Sequence, residues 1–92
     1  MNEFDFVMHA KQIVTDYVLE HLDKSDPPHM FNVYIVWMCK TLQNNKALLS
    51  TTFYDGMYYE VTYNGDKNEV YLDAYKKFEN RCIKLGGADE AD

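Results

Sequence analysis

The chain has 92 residues, enough for one domain and too few for two independent cores. Hydrophobic residues make up 47% and charged residues 26%, which excludes wholesale disorder, because that state needs low hydrophobicity with high charge. Nine Lys and Arg against fifteen Asp and Glu give a formal charge of -6, a poor start for a general binder of phosphate backbones.

Residues 3–22 read as an amphipathic helix. Val7, Val14, Val18 and Leu22 fall on one stripe, with Ala10, Ile13 and Tyr17 beside it and Lys11, Asp16 and Glu20 opposite. Asn2 suits the N-cap. Asp23 to Pro28 should stop the helix, since proline neither donates a backbone hydrogen bond nor tolerates a helical residue before it.

Phe31–Leu42 has the composition of a strand, and its apolar residues occupy both alternating faces. Simple alternation places Val33, Ile35 and Trp37 on one face and Tyr34, Val36 and Met38 on the other. Gln43–Lys46 reads as a hairpin loop, Ala47–Phe53 as a second strand, Asp55-Gly56 as a turn and Met57–Tyr63 as a third strand. Asn64-Gly65 ends the sheet.

Asp66 and Glu69 then form a D-x-x-E pattern, a variant of the capping box. The pattern predicts a second helix over 67–85 with Tyr71, Ala74, Tyr75, Phe78, Cys82 and Leu85 as its apolar stripe, closed by Gly86-Gly87. A short fourth strand over Glu69–Leu72 followed by a shorter helix is the alternative. The expected fold is α+β in the order α-β-β-β-α, a three-stranded antiparallel meander packed against two helices. The expected domain spans 1–87, and 88–92 is an acidic disordered tail carrying Asp89, Glu90 and Asp92, which leaves a charge of -3 on the rest.

The segments Val36-Trp37-Met38-Cys39-Lys40-Thr41-Leu42, Asp55-Gly56-Met57-Tyr58-Tyr59-Glu60-Val61 and Tyr71-Leu72-Asp73-Ala74-Tyr75 carry a resemblance that extends from Val33 to Ile83. In them the chain resembles a family of small uncharacterised phage and prophage proteins from low-GC Gram-positive bacteria. The resemblance implies a phage or prophage origin and brings no catalytic residue and no ligand with it.

Catalytic chemistry has little footing in these residues. Cys39 and Cys82 form no CxxC pair, and His9 and His21 lie twelve apart, too far to share a metal, with His29 in a loop. The cysteines are expected to be buried free thiols, with Cys39 kept inert by an apolar strand. The four glycines assemble neither a P-loop nor a dinucleotide fingerprint. The chain is therefore expected not to be an enzyme and to hold no cofactor or metal.

The aromatic residues are 15% of the chain, and they suit a sheet face and an interface. Tyr34, Trp37, Met38 and Tyr58 are the candidate interface. The expected function is that of a noncatalytic phage accessory protein that binds a host or phage protein and forms a homodimer. The alternative is a nucleic-acid module, using sheet tyrosines that stack on bases or a basic stripe of Lys77, Arg81 and Lys84 on the second helix. The N-terminus is acidic where a signal peptide is basic, and the longest apolar run, Val33–Cys39, is too short for a membrane span, so the expected place is the host bacterial cytoplasm.

Overall fold

The computed structural model describes residues 1–22 and 30–86. The order is α1 (Glu3–His21), β1 (Val33–Thr41), β2 (Asn44–Thr51), β3 (Met57–Asn64) and β4 (Glu69–Lys76). The strands form one antiparallel sheet in the order β1-β2-β3-β4. Among the described residues the fold is thus mixed α and β, with one helix and four strands rather than two helices and three strands. The expected helix stop at Asp23–Pro28, the tail 88–92 and the second half of the Gly86-Gly87 closure lie outside the described residues.

Helix α1 begins as its sequence dictates. The Asn2 side chain accepts a hydrogen bond from the Asp5 amide at 2.8 Å, and Glu3 and Asp5 sit in the first turn, where the helix dipole favours negative charge. Phe6, Ala10, Val14 and Val18, four residues apart each, are its buried stripe. They pack on Ala47 and Leu49 of β2 and Tyr59, Val61 and Tyr63 of β3, forming a single core. Tyr17 of α1 meets Tyr59 edge-on with ring centroids 5.6 Å apart. The helix lies across β1, β2 and β3. On β4 only Leu72 is partly covered, and the other seven residues are exposed.

The first hairpin is tighter than the polar run suggests. Thr41 pairs with Asn44, so Leu42 and Gln43 alone make the turn, with Leu42 in the left-handed region at φ 56°. Asn45, read as loop, is a strand residue only 2% exposed on the core side. Gly65 in the turn after β3 is required by space: a Cβ there would stand 2.3 Å from the Gln43 carbonyl oxygen.

The expected second helix is absent because its start is used otherwise. Asn64 Oδ1 accepts from the amides of Asp66 and Lys67, closing a turn of the Asx kind, and Asn68 takes φ 53°. The Asp66 carboxylate accepts from the Gln43 side-chain amide of the neighbouring hairpin instead of capping a helix. The chain thereby reverses onto β3, and Glu69–Lys76 pairs with it residue for residue from Asn64↔Glu69 to Met57↔Lys76. Val70, Tyr71, Leu72 and Tyr75 are good strand formers once a partner edge is present. Residues 77–85 carry neither helix nor strand.

Burial at Tyr59 has a consequence for alkaline stability. Its phenol is raised above the ordinary value of 10.0, first by burial and then by the charge of Asp55 and by Tyr17. A proton held more tightly in the folded chain than in the unfolded one contributes stability below pH 10.0, and this is lost as the pH rises past that value. Urea midpoints measured on either side of that pH should fall more steeply in the wild type than in Tyr59→Phe. Equal slopes would remove Tyr59 as a source of the loss.

Candidate protein-binding face

Among the described residues, no helix packs on the second face of the sheet. Its composition follows from the pairing. Tyr34, Ser50, Tyr58 and Tyr75 lie opposite one another across β1, β2, β3 and β4. The next row is Trp37, Leu48, Glu60 and Asp73, and the one beyond is Cys39, Lys46, Thr62 and Tyr71. Tyr34, Trp37, Tyr71 and Tyr75 are each 44–52% exposed. Large aromatic side chains half open to water on one surface are unusual outside binding sites.

Three of the four residues expected at an interface are on this face, and one is not. The ladder between β1 and β2 shifts between Ile35 and Trp37, leaving Val36 unpaired as a bulge. One extra residue inverts everything after it. Trp37 therefore joins Tyr34 on the open face, opposite to what alternation predicts, and Met38 turns to the core side with Val33 and Ile35, half-buried against the hydrophobic cluster.

Tyr34 and Tyr58 flank the small Ser50, whose hydroxyl donates to the Met57 carbonyl at 2.9 Å. Two strand spacings put the tyrosine positions about 9.6 Å apart. A cavity of about 360 Å³ opens here, lined by Tyr34, Ser50, Phe53, Tyr54, Tyr58 and Lys77 among others. The Lys77 ammonium stands 5.8 Å from the centre of the Tyr58 ring, a cation–π distance.

The charges on the face were not foreseen as a group. Glu60 and Asp73 are directly opposed across β3 and β4, and Lys46 reaches Glu60 at 3.6 Å. The two acids are thirteen positions apart, so no local sequence signal joins them; only strand register does. At the rim, the Tyr71 hydroxyl donates to the Glu69 carboxylate, and this bond holds its phenol above the ordinary range.

The remaining candidates are dispersed. Lys77, Arg81 and Lys84 lie on the exposed segment after β4, so the helical spacing that made them a stripe does not apply, and Arg81 pairs with Glu79 at 3.0 Å. Cys39 and Cys82 are free and exposed, not buried as expected. Cys39 is exposed because the bulge turns it outward with Trp37. His9 and His21 are exposed on α1, where His21 Nδ1 donates to the Tyr17 carbonyl at 2.8 Å, and His29 lies outside the described residues. Among the described residues no three His, Cys, Asp or Glu side chains gather as a metal site, and no helix is long and apolar enough to cross a membrane.

No curated protein and no solved structure matches the chain. A family defined by sequence does match, over residues 7–85, a span that takes in α1 from Val7 onward, all four strands and the segment after them. The chain belongs to DUF6275, a family of unknown function.

Proposed function

We propose that the chain is a noncatalytic accessory protein of a phage or prophage, and that it binds a host or phage protein through the open face of its sheet. The observation that supports this is the face itself: Tyr34, Trp37, Tyr58, Tyr71 and Tyr75 on one uncovered surface. Tyrosine and tryptophan dominate the energetics of protein interfaces because they bury large areas with few rotatable bonds. Glu60 and Asp73 beside them favour a partner that presents basic groups. The phage origin rests on the sequence resemblance described above.

A second function, binding of single-stranded nucleic acid, has one observation in its favour: Tyr34 and Tyr58 are placed to stack on a base, with Lys77 above Tyr58. Against it stand the two carboxylates in the next row and the charge of -6.

A tagged chain should be used to capture partners from host lysate with and without nuclease, alongside Trp37→Ala and Tyr58→Ala variants. A protein retained after nuclease and weakened about thirtyfold or more by either variant fits truncation of an interface anchor worth about 2 kcal/mol. Capture that nuclease abolishes would favour the nucleic-acid function. Capture that neither variant alters would exclude this face as the binding surface.

A further inference from the structure

We propose that β4 is a dimerisation strand. Two copies of the chain pair their β4 strands antiparallel about a two-fold axis at Leu72, joining two four-stranded sheets into one of eight. The pairing edge is the backbone of β4, bordered by Tyr71 and Tyr75 of the open face, and the proposal does not depend on what that face binds.

The two edges of the sheet differ. The β1 edge is interrupted by the bulge at Val36, which spoils it as a template for another strand. The β4 edge is regular, with eight consecutive residues paired to β3 and no shift of register. Its outward hydrogen-bonding groups can be assigned. The Lys77 amide donates to the Gly56 carbonyl at 2.6 Å, toward β3. Alternation then turns the amides and carbonyls of Val70, Leu72, Ala74 and Lys76 away from β3, where among the described residues they have no strand to meet.

Charge selects the register. A two-fold axis normal to the sheet keeps like faces together, so odd-numbered residues must oppose odd and even must oppose even. Centring the axis on Leu72 sets Val70 against the partner's Ala74 and Tyr71 against the partner's Asp73. Centring it on Asp73 would set that carboxylate against its own copy, and like charges directly opposite are destabilising.

Exposed aromatic side chains border the edge and follow it in the chain. Tyr71 is 47% exposed, Tyr75 52% and Phe78 97%. At about 150–250 Å² for each aromatic side chain, these three offer roughly 400 Å² per copy. Val70, Ile83 and Leu85, exposed at 39–77%, and the strand's own backbone add to it.

Sedimentation equilibrium of the full chain should return twice the chain mass. Ala74→Pro removes one outward amide and none that bonds to β3, so it should return the single mass with an unchanged circular dichroism spectrum. Trp37→Asp, on the open face, should leave the dimer intact. Register is read in chains carrying Cys39→Ser and Cys82→Ser. There Leu72→Cys should crosslink on oxidation, because an opposed hydrogen-bonded pair sets Cα atoms about 5.5 Å apart, within disulfide reach, and Asp73→Cys should not. A wild-type chain at the single mass overturns the proposal. A dimer that survives Ala74→Pro, or that fails to crosslink through Leu72→Cys, overturns it as well, and the crosslink decides if the proline variant does not fold.

Discussion

Phe6→Ala should lower the unfolding free energy by about 3–5 kcal/mol, the usual cost of emptying a buried phenylalanine site. Phe6 is 1% exposed and belongs to the core of the described residues. That core lies between α1 and one face of the sheet. A domain of this length has about 5–14 kcal/mol in all. The loss is therefore a large fraction of the total, and the expected fall in Tm is at least about 15 °C. The helix also depends on this contact more than on its own propensity, because a helix of 19 residues is marginal in water without tertiary packing. Phe4→Ala is the matched control. Phe4 is the same residue type on the same helix, but it is 71% exposed, and its removal should shift stability by no more than about 0.5 kcal/mol. Thermal unfolding of both variants by circular dichroism checks the difference. Equal losses would mean that α1 docks on another side.

The parts of the fold that could be read from sequence are those fixed by local chemistry. The first helix, expected over 3–22, occupies Glu3–His21, because its cap and its helical period agree, although its buried stripe is Phe6, Ala10, Val14 and Val18 and not Val7, Val14, Val18 and Leu22. The third strand, expected over 57–63, occupies Met57–Asn64 for the same reason: Tyr59, Val61 and Tyr63 alternate with smaller or charged residues and are the ones buried. The last element was misread because two local signals competed. Asp66-x-x-Glu69 favours a helix start, whereas Asn64-Gly65 favours a reversal. The reversal prevails because contacts distant in sequence support it. Asn44 Oδ1 accepts from the Gly65 amide at 2.9 Å, and Gln43 holds Asp66. Those partners are more than twenty positions away, so no window of sequence around residue 66 contains them. The alternative of a short strand over Glu69–Leu72 before a shorter helix has the strand right in type and four residues short, but no helix follows it over 77–85. Of the face, Tyr34, Trp37 and Tyr58 were named in advance. Tyr71 and Tyr75 were assigned to a helix stripe and so were not recognised as part of it.

Opposite outcomes are expected for a charge placed at the two neighbouring positions Trp37 and Met38. Met38→Asp should destabilise the chain by about 3 kcal/mol, because it removes a packed side chain and brings an unpaired carboxylate into the layer between sheet and helix. Met38 lies opposite Ala47, which is fully buried, and packs against the core cluster. Trp37→Asp should change stability by less than about 1 kcal/mol, since Trp37 is 44% exposed on the face that no helix covers. Strict alternation from Val33 would predict the reverse, with Trp37 inward and Met38 outward. The pair of variants therefore tests the bulge at Val36, whose single extra residue exchanges the two side chains. Urea titrations supply the stabilities. A costly Trp37→Asp with a tolerated Met38→Asp would mean that the bulge is absent and that the aromatic face lacks its tryptophan. With the bulge present, the chain's one tryptophan stands in the middle of the proposed binding surface. Its emission should then move to shorter wavelength when a partner covers it, and should not move in the unbound Met38→Ala variant.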